Sequence, residues 1–164
     1  MGQLGTTVPS GQGADQSRLL DRLRTEARAR SGARWFYWIA GLSLVNSIAM
    51  ISGSNFTFVV GLGVTQFADG IVRGMGLPGP TSFLVDIPIA AIFAMFGYFA
   101  LQRHKWAYLV GMGLYACDGL IFLFFKDYLA LAFHVYALWW IFKGMQAADE
   151  LRALEPQPAA APIG

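Results

Sequence analysis

Two apolar runs joined by one charged pair constrain this chain more than any other feature. Residues 106–125 and 128–142 contain almost only apolar and aromatic side chains, and Lys126-Asp127 is all that separates them. A helix rises about 1.5 Å per residue and the hydrocarbon layer of a bilayer is about 30 Å thick, so the first run can cross a membrane as a helix. The second run can do so once Lys143 is counted, because a lysine at a helix end extends to the headgroups. The short connection predicts an antiparallel hairpin.

The composition places this hairpin in a membrane protein. The chain is 55% hydrophobic and 13% charged, whereas a soluble domain carries about 25% charged residues. Most of the charge lies near the two ends. We therefore divide the chain into a cytoplasmic polar tail with a short basic juxtamembrane helix (1–33), a transmembrane helical domain (34–145) and a second cytoplasmic polar tail (146–164).

Two further stretches have the length and apolar character of spanning helices. One covers 35–51 and opens with an aromatic cluster directly after Arg34, which is typical of a membrane interface. The other covers 82–101. The predicted fold is therefore all-α: an integral membrane bundle of four transmembrane helices plus a glycine-rich segment, 56–77, whose placement the pattern leaves open.

That segment is amphipathic. Its polar face consists of residues at steps of four, namely Thr57, Gly61, Thr65, Asp69 and Arg73. Such a helix can lie in the interface, enter the membrane part-way and return, or form a fifth span with its polar face turned inward.

The positions of the basic residues distinguish four spans from five. With four spans, ten of the twelve lysines and arginines share one side, and only Arg73 and Lys126 lie on the other. With five spans the division becomes eight to four. The positive-inside rule favours four spans with both termini cytoplasmic, in a bacterial inner membrane.

The hairpin contains one acid, Asp118, and one histidine, His134. Asp118 lies eight residues before Lys126 and His134 lies seven after Asp127, so an antiparallel hairpin brings them to nearly the same depth. An ionisable group at that depth normally finds a partner or a wet cavity. The pair is either a proton or cation site or a hydrogen-bonded contact that fixes the packing of the hairpin.

Other polar side chains extend the candidate site. Asn46, Tyr115 and Ser43 are predicted at a similar depth and form a possible network with the pair. A secondary polar cluster is predicted near the outer surface from Asp69, Arg73 and Asp86.

Several classes of function lack support in the sequence. The two histidines and single cysteine match no metal or haem spacing, no phosphate loop or catalytic serine motif is present, and a net charge of +2 does not indicate nucleic-acid binding. We expect no cofactor, no metal and no enzymatic activity. The leading hypothesis is a structural or accessory subunit of a membrane complex or homo-oligomer in the lipid bilayer. The alternative is a small transporter or channel in which Asp118 and His134 bind protons or a cation.

Overall fold

The computed structural model describes residues 10–52 and 62–155, and this part of the chain is entirely helical. The elements are α1 (Ser10–Ile51), α2 (Gly63–Gly74), a short 3-10 helix (Gly79–Ser82), α3 (Phe83–Leu101), α4 (Lys105–Phe124) and α5 (Tyr128–Ala153). The four long helices pack side by side, with α1 between α3 and α5, and α4 against α5. The all-α prediction is confirmed, and α2 is a short helix added beside α4.

Helix α1 is longer than predicted. It runs without a break for 42 residues, about 63 Å, through the boundary that we predicted between a juxtamembrane helix and a spanning helix. The sequence there contains Gly32 but no proline, and one glycine is tolerated in a helix that packs well. The expectation that residues 10–14 are irregular is wrong, since the helix already includes them; residues 1–9 lie outside the described part.

A close crossing of α1 and α5 explains the glycine. A Cβ atom added to Gly32 would lie 2.5 Å from the Cα atom of Gly144, so the two backbones are in direct contact. Ala33 and Ala148 are buried beside this crossing. Small residues at such a position allow the helix axes to approach closely, as they do in membrane bundles.

The ends of the two long helices also pack on each other, although we predicted them as polar tails. Ala29 and Leu151 are both 5% exposed, and the Tyr108 hydroxyl donates to the carbonyl oxygen of Ala29 at 3.0 Å. Lys105, at the start of α4, lies 2.6 Å from Asp149 of α5. The helical bundle therefore continues beyond the apolar runs.

Two tight turns set the offset between α3, α4 and α5. Arg103 and Lys126 have φ values of 63° and 58°, the left-handed conformation that ends many helices. In the second turn the amide of Asp127 bonds the carbonyl of Phe122 at 2.9 Å, and the Asp127 side chain then accepts from the amide of Ala130 at 3.1 Å as the N-cap of α5. This turn produces the predicted antiparallel hairpin.

Helix α2 differs from the prediction for residues 56–77. It has 12 residues, about 18 Å, and cannot alone cross a hydrocarbon layer of about 30 Å. Thr57 and Gly61 lie outside the described residues. Of the predicted stripe, Thr65 is buried near the start of the helix and Arg73 is exposed near its end, so the polar positions do not form one inward face.

Polar and apolar side chains are distributed opposite to the pattern of a soluble protein. Among the described residues the interior holds Ser43, Asn46, Ser47, Thr65, Asp86, Asp118 and His134, while the outward faces carry large apolar side chains, of which Leu84 and Phe124 are 77% and 82% exposed. Two described helices, α3 and α4, are long and apolar enough to cross a membrane. Helices α1 and α5 are less apolar on average, because α1 also carries arginines and polar core residues and α5 carries His134 and a polar end.

Candidate functional site

The structure brings Asp118 and His134 together inside the bundle. The Nε2 atom of His134 lies 3.0 Å from Oδ2 of Asp118, and the two side chains are 1% and 5% exposed. The turn at Lys126-Asp127 positions them, because it places the last turns of α4 beside the first turns of α5. The contact is thus short and enclosed by protein.

Asp118 also caps the first turn of α2. Its Oδ2 atom accepts the amide of Gly63 at 2.7 Å, and its Oδ1 atom accepts the amide of Val64 at 2.8 Å. Leu62, the N-cap residue of α2, has no polar side chain to do this. The first amides of a helix have no partner within it and carry partial positive charge, so they stabilise a carboxylate. One acid therefore joins α4, α5 and α2.

The hydrogen bonds of His134 define the number of protons in the pair. Its Nδ1 atom lies 2.8 Å from the carbonyl oxygen of Ala130. A carbonyl only accepts, so Nδ1 carries a proton. A hydrogen bond between Nε2 and Oδ2 then requires one more proton, located on either atom. The pair is an imidazolium with a carboxylate or a neutral imidazole with a carboxylic acid, and its net charge is zero in both cases.

The three donors around Asp118 favour the ionic form. Both carboxylate oxygens accept backbone amides, and these charge-assisted bonds strengthen when the acid is ionised. A protonated His134 adds a third donor. The pair is thus an ion pair whose lone-pair directions are largely used by protein donors.

Aromatic rings enclose the histidine. The Tyr115 ring stacks on the imidazole with ring centroids 4.2 Å apart and planes 18° apart, and the Phe122 ring lies 5.0 Å away on α4. Gly119 lies between them, and a Cβ atom there would come within 3.3 Å of the His134 side chain. These contacts exclude water from the imidazole.

A second set of hydrogen bonds fastens α2 to α1. The Thr65 hydroxyl donates to the carbonyl of Leu62 at 2.8 Å, and the Ser43 hydroxyl lies 3.0 Å from the Thr65 oxygen. Because the Thr65 proton is already used, Ser43 donates in this contact. Ser47 donates to the Ser43 carbonyl at 3.2 Å. The start of α2 is therefore held from two sides, by Asp118 and by Ser43.

The remaining predicted residues have different positions. Asn46 is buried, at 1% exposed, one helical turn from Ser43. Asp86 is fully buried in the first turn of α3, whereas Arg73 is exposed in the last turn of α2. The side chain of Asp69 lies outside the described part. The secondary cluster of Asp69, Arg73 and Asp86 stays a prediction.

An apolar groove lies beside the pair. It has a volume of about 330 Å³ between α2, α3 and α4, it opens to the outside of the bundle, and its wall includes Asp118 and Cys117. The other lining side chains are aliphatic or aromatic. Within the described ranges no group of three or more histidine, cysteine or acidic side chains is arranged to hold a metal ion.

The backbone amides of Gly63 and Val64 are the part of the site that the sequence did not reveal. Every residue other than proline has an amide, so no residue type marks the two that a distant carboxylate will bind. The available signal was the absence of a capping residue before α2. Comparison of the chain with models of protein families, with curated proteins and with solved structures finds no match.

Proposed function

We propose that the protein is a non-enzymatic membrane protein, a structural or accessory subunit whose four long helices cross the bilayer and whose α2 enters it part-way and returns. One observation carries this proposal: Asp118 and His134 are used to fasten α2. Each Asp118 oxygen binds an amide of α2, and His134 is bound on both ring nitrogens. A side chain engaged in this way has little capacity left for a substrate.

The polar interior and apolar exterior support insertion in the membrane. A contiguous apolar surface is rare on a soluble monomer, and here it covers the outward faces of α3, α4 and α5. In a bilayer these faces contact lipid, whereas the buried hydroxyl, amide and acidic groups find partners inside the bundle.

The alternative function is the handling of protons or a cation by the same pair. The single proton in the contact between Nε2 and Oδ2 favours this function, since a proton bound between two titratable groups can in principle be exchanged. The apolar wall of the neighbouring groove argues against it, because a proton path requires water or polar side chains to reach Asp118.

Two measurements test the proposal. After expression of the full chain, alkaline carbonate extraction is expected to leave it in the membrane fraction, and native mass spectrometry from mild detergent is expected to give a defined oligomer or a stoichiometric complex. Reconstituted liposomes are expected to hold an imposed pH gradient as long as empty ones do. Release by carbonate, or a strictly monomeric particle without a partner, contradicts the structural function. A proton flux that Asp118→Asn abolishes establishes the alternative.

A further inference from the structure

A groove on the outer side of α1 lies where the polar part of this helix meets its apolar part. Its volume is about 410 Å³. The lining residues are Ser31, Arg34, Trp35, Trp38, Leu42 and Phe133. They are ordered along the helix, with the polar pair at one end and the apolar pair Leu42 and Phe133 at the other. From Ser31 to Leu42 the helix rises about 16 Å, the scale of a headgroup followed by the first part of an acyl chain.

The charge at the polar end has no counterion in the described part of the chain. Arg34 is exposed and forms no ion pair or hydrogen bond there, whereas Arg30, one turn earlier, binds Glu26 at 2.8 Å and Arg28 lies 3.7 Å from Glu150. No carboxylate lines the groove. A guanidinium presents several parallel N–H donors and binds a phosphate in two-pronged fashion.

The aromatic residues place this end at headgroup depth. Trp35 and Trp38 directly follow Arg34, and tryptophan is enriched at the boundary between water and hydrocarbon. Below them the groove contains no polar side chain: Leu42 and Phe133 are half-buried and form an apolar track between α1 and α5. The groove thus has a cationic end at the interface and an apolar end in the hydrocarbon.

We propose that this groove binds one anionic phospholipid, with its phosphate on Arg34 and Ser31 and one acyl chain along Leu42 and Phe133. The inference rests on the proposed insertion in the membrane. A zwitterionic lipid is a poorer occupant, since its own cationic group lies close to Arg34. Soluble phosphate alone leaves the apolar end empty.

The test uses the full chain in mild detergent and native mass spectrometry with added phosphatidylglycerol or phosphatidylcholine. The expected result is one phosphatidylglycerol per chain, bound in preference to phosphatidylcholine. Arg34→Gln is expected to weaken its binding about tenfold or more, as for the loss of one charge-assisted contact. Arg30→Gln is the matched control: it removes the same charge one turn away, outside the groove, and is expected to retain the lipid.

Three results overturn the proposal. They are equal weakening by Arg30→Gln and Arg34→Gln, equal binding of the two lipids, and displacement of the bound lipid by glycerol phosphate at the concentration at which phosphatidylglycerol itself competes. The third result reveals a phosphate site without an acyl track. Carbonate extraction separates the two proposals: a chain that stays in the membrane but shows no preferred lipid refutes only the lipid site.

Discussion

Removal of the Asp118 carboxylate is expected to be the most damaging single change in the core. Asp118→Ala eliminates bonds of 2.7, 2.8 and 3.0 Å to Gly63, Val64 and His134 together. It leaves two buried amides unsatisfied and a histidine without its counterion. Breaking a buried ion pair by removing one partner costs about 3–5 kcal/mol, and we expect a loss of unfolding free energy in this range.

Removal of His134 is expected to cost less. In His134→Ala the carboxylate keeps both amides of α2, so the lost interaction is one charged hydrogen bond, about 1.5–3 kcal/mol, plus the space left beside Tyr115. The cost of that space enters only the single change and the double change, so a double-mutant cycle largely cancels it. We expect a coupling of about 1–3 kcal/mol between the two positions.

Hydrogen exchange distinguishes the two variants more sharply than stability alone. In Asp118→Ala the amides of Gly63 and Val64 are expected to lose their protection in detergent or nanodiscs, whereas in His134→Ala they are expected to retain it. Asp127→Ala is the matched control, because it removes an acidic N-cap from α5, at about 1 kcal/mol, without contacting α2. Strictly additive free energies, or amides that stay protected in Asp118→Ala, would refute the capping of α2 by Asp118.

Three more outcomes follow from the packing and the turns. Gly32→Ala is expected to destabilise the bundle by about 1–3 kcal/mol in a detergent unfolding assay, because its Cβ meets Gly144, whereas Gly41→Ala, with open space around it, is expected to be neutral or stabilising. Lys126→Gly is expected to stabilise by up to about 1 kcal/mol in the same assay, since the φ of 58° is costly for a residue with a Cβ; a clear loss of stability would contradict this explanation of the turn. Leu154→Cys, half-exposed beyond α5, is expected to react with a membrane-impermeant maleimide only from the cytoplasmic side, and labelling from the other side would contradict the four-span topology.

The sequence predicted the hairpin and the contact within it for a local reason. The connection at Lys126-Asp127 is so short that it fixes the offset of α4 and α5, and counting residues from it is enough to place Asp118 opposite His134. Helix rotation was the open quantity, and the turn geometry brings the two side chains onto facing sides.

The start of α2 could not be predicted in the same way. Its first amides are satisfied by a carboxylate 54 and 55 residues away along the chain, and no local pattern encodes such a distant cap. The polar spacing of 56–77 therefore indicated a longer helix than the one that forms. The continuity of α1 was missed for a related reason, since the partner that accommodates Gly32 is Gly144 on a helix distant in sequence.

The position of the two ends of the segment around α2 tests the account most directly. In a chain carrying Cys117→Ser, single cysteines are introduced by Ser52→Cys after α1 and by Leu77→Cys after α2, both at exposed positions. Labelling of intact and opened membrane vesicles with an impermeant maleimide shows which side each position faces. A helix that enters part-way and returns predicts that both cysteines react from the same side, opposite to the carboxyl end of α5. Reaction from opposite sides would make this segment a fifth span and contradict the account.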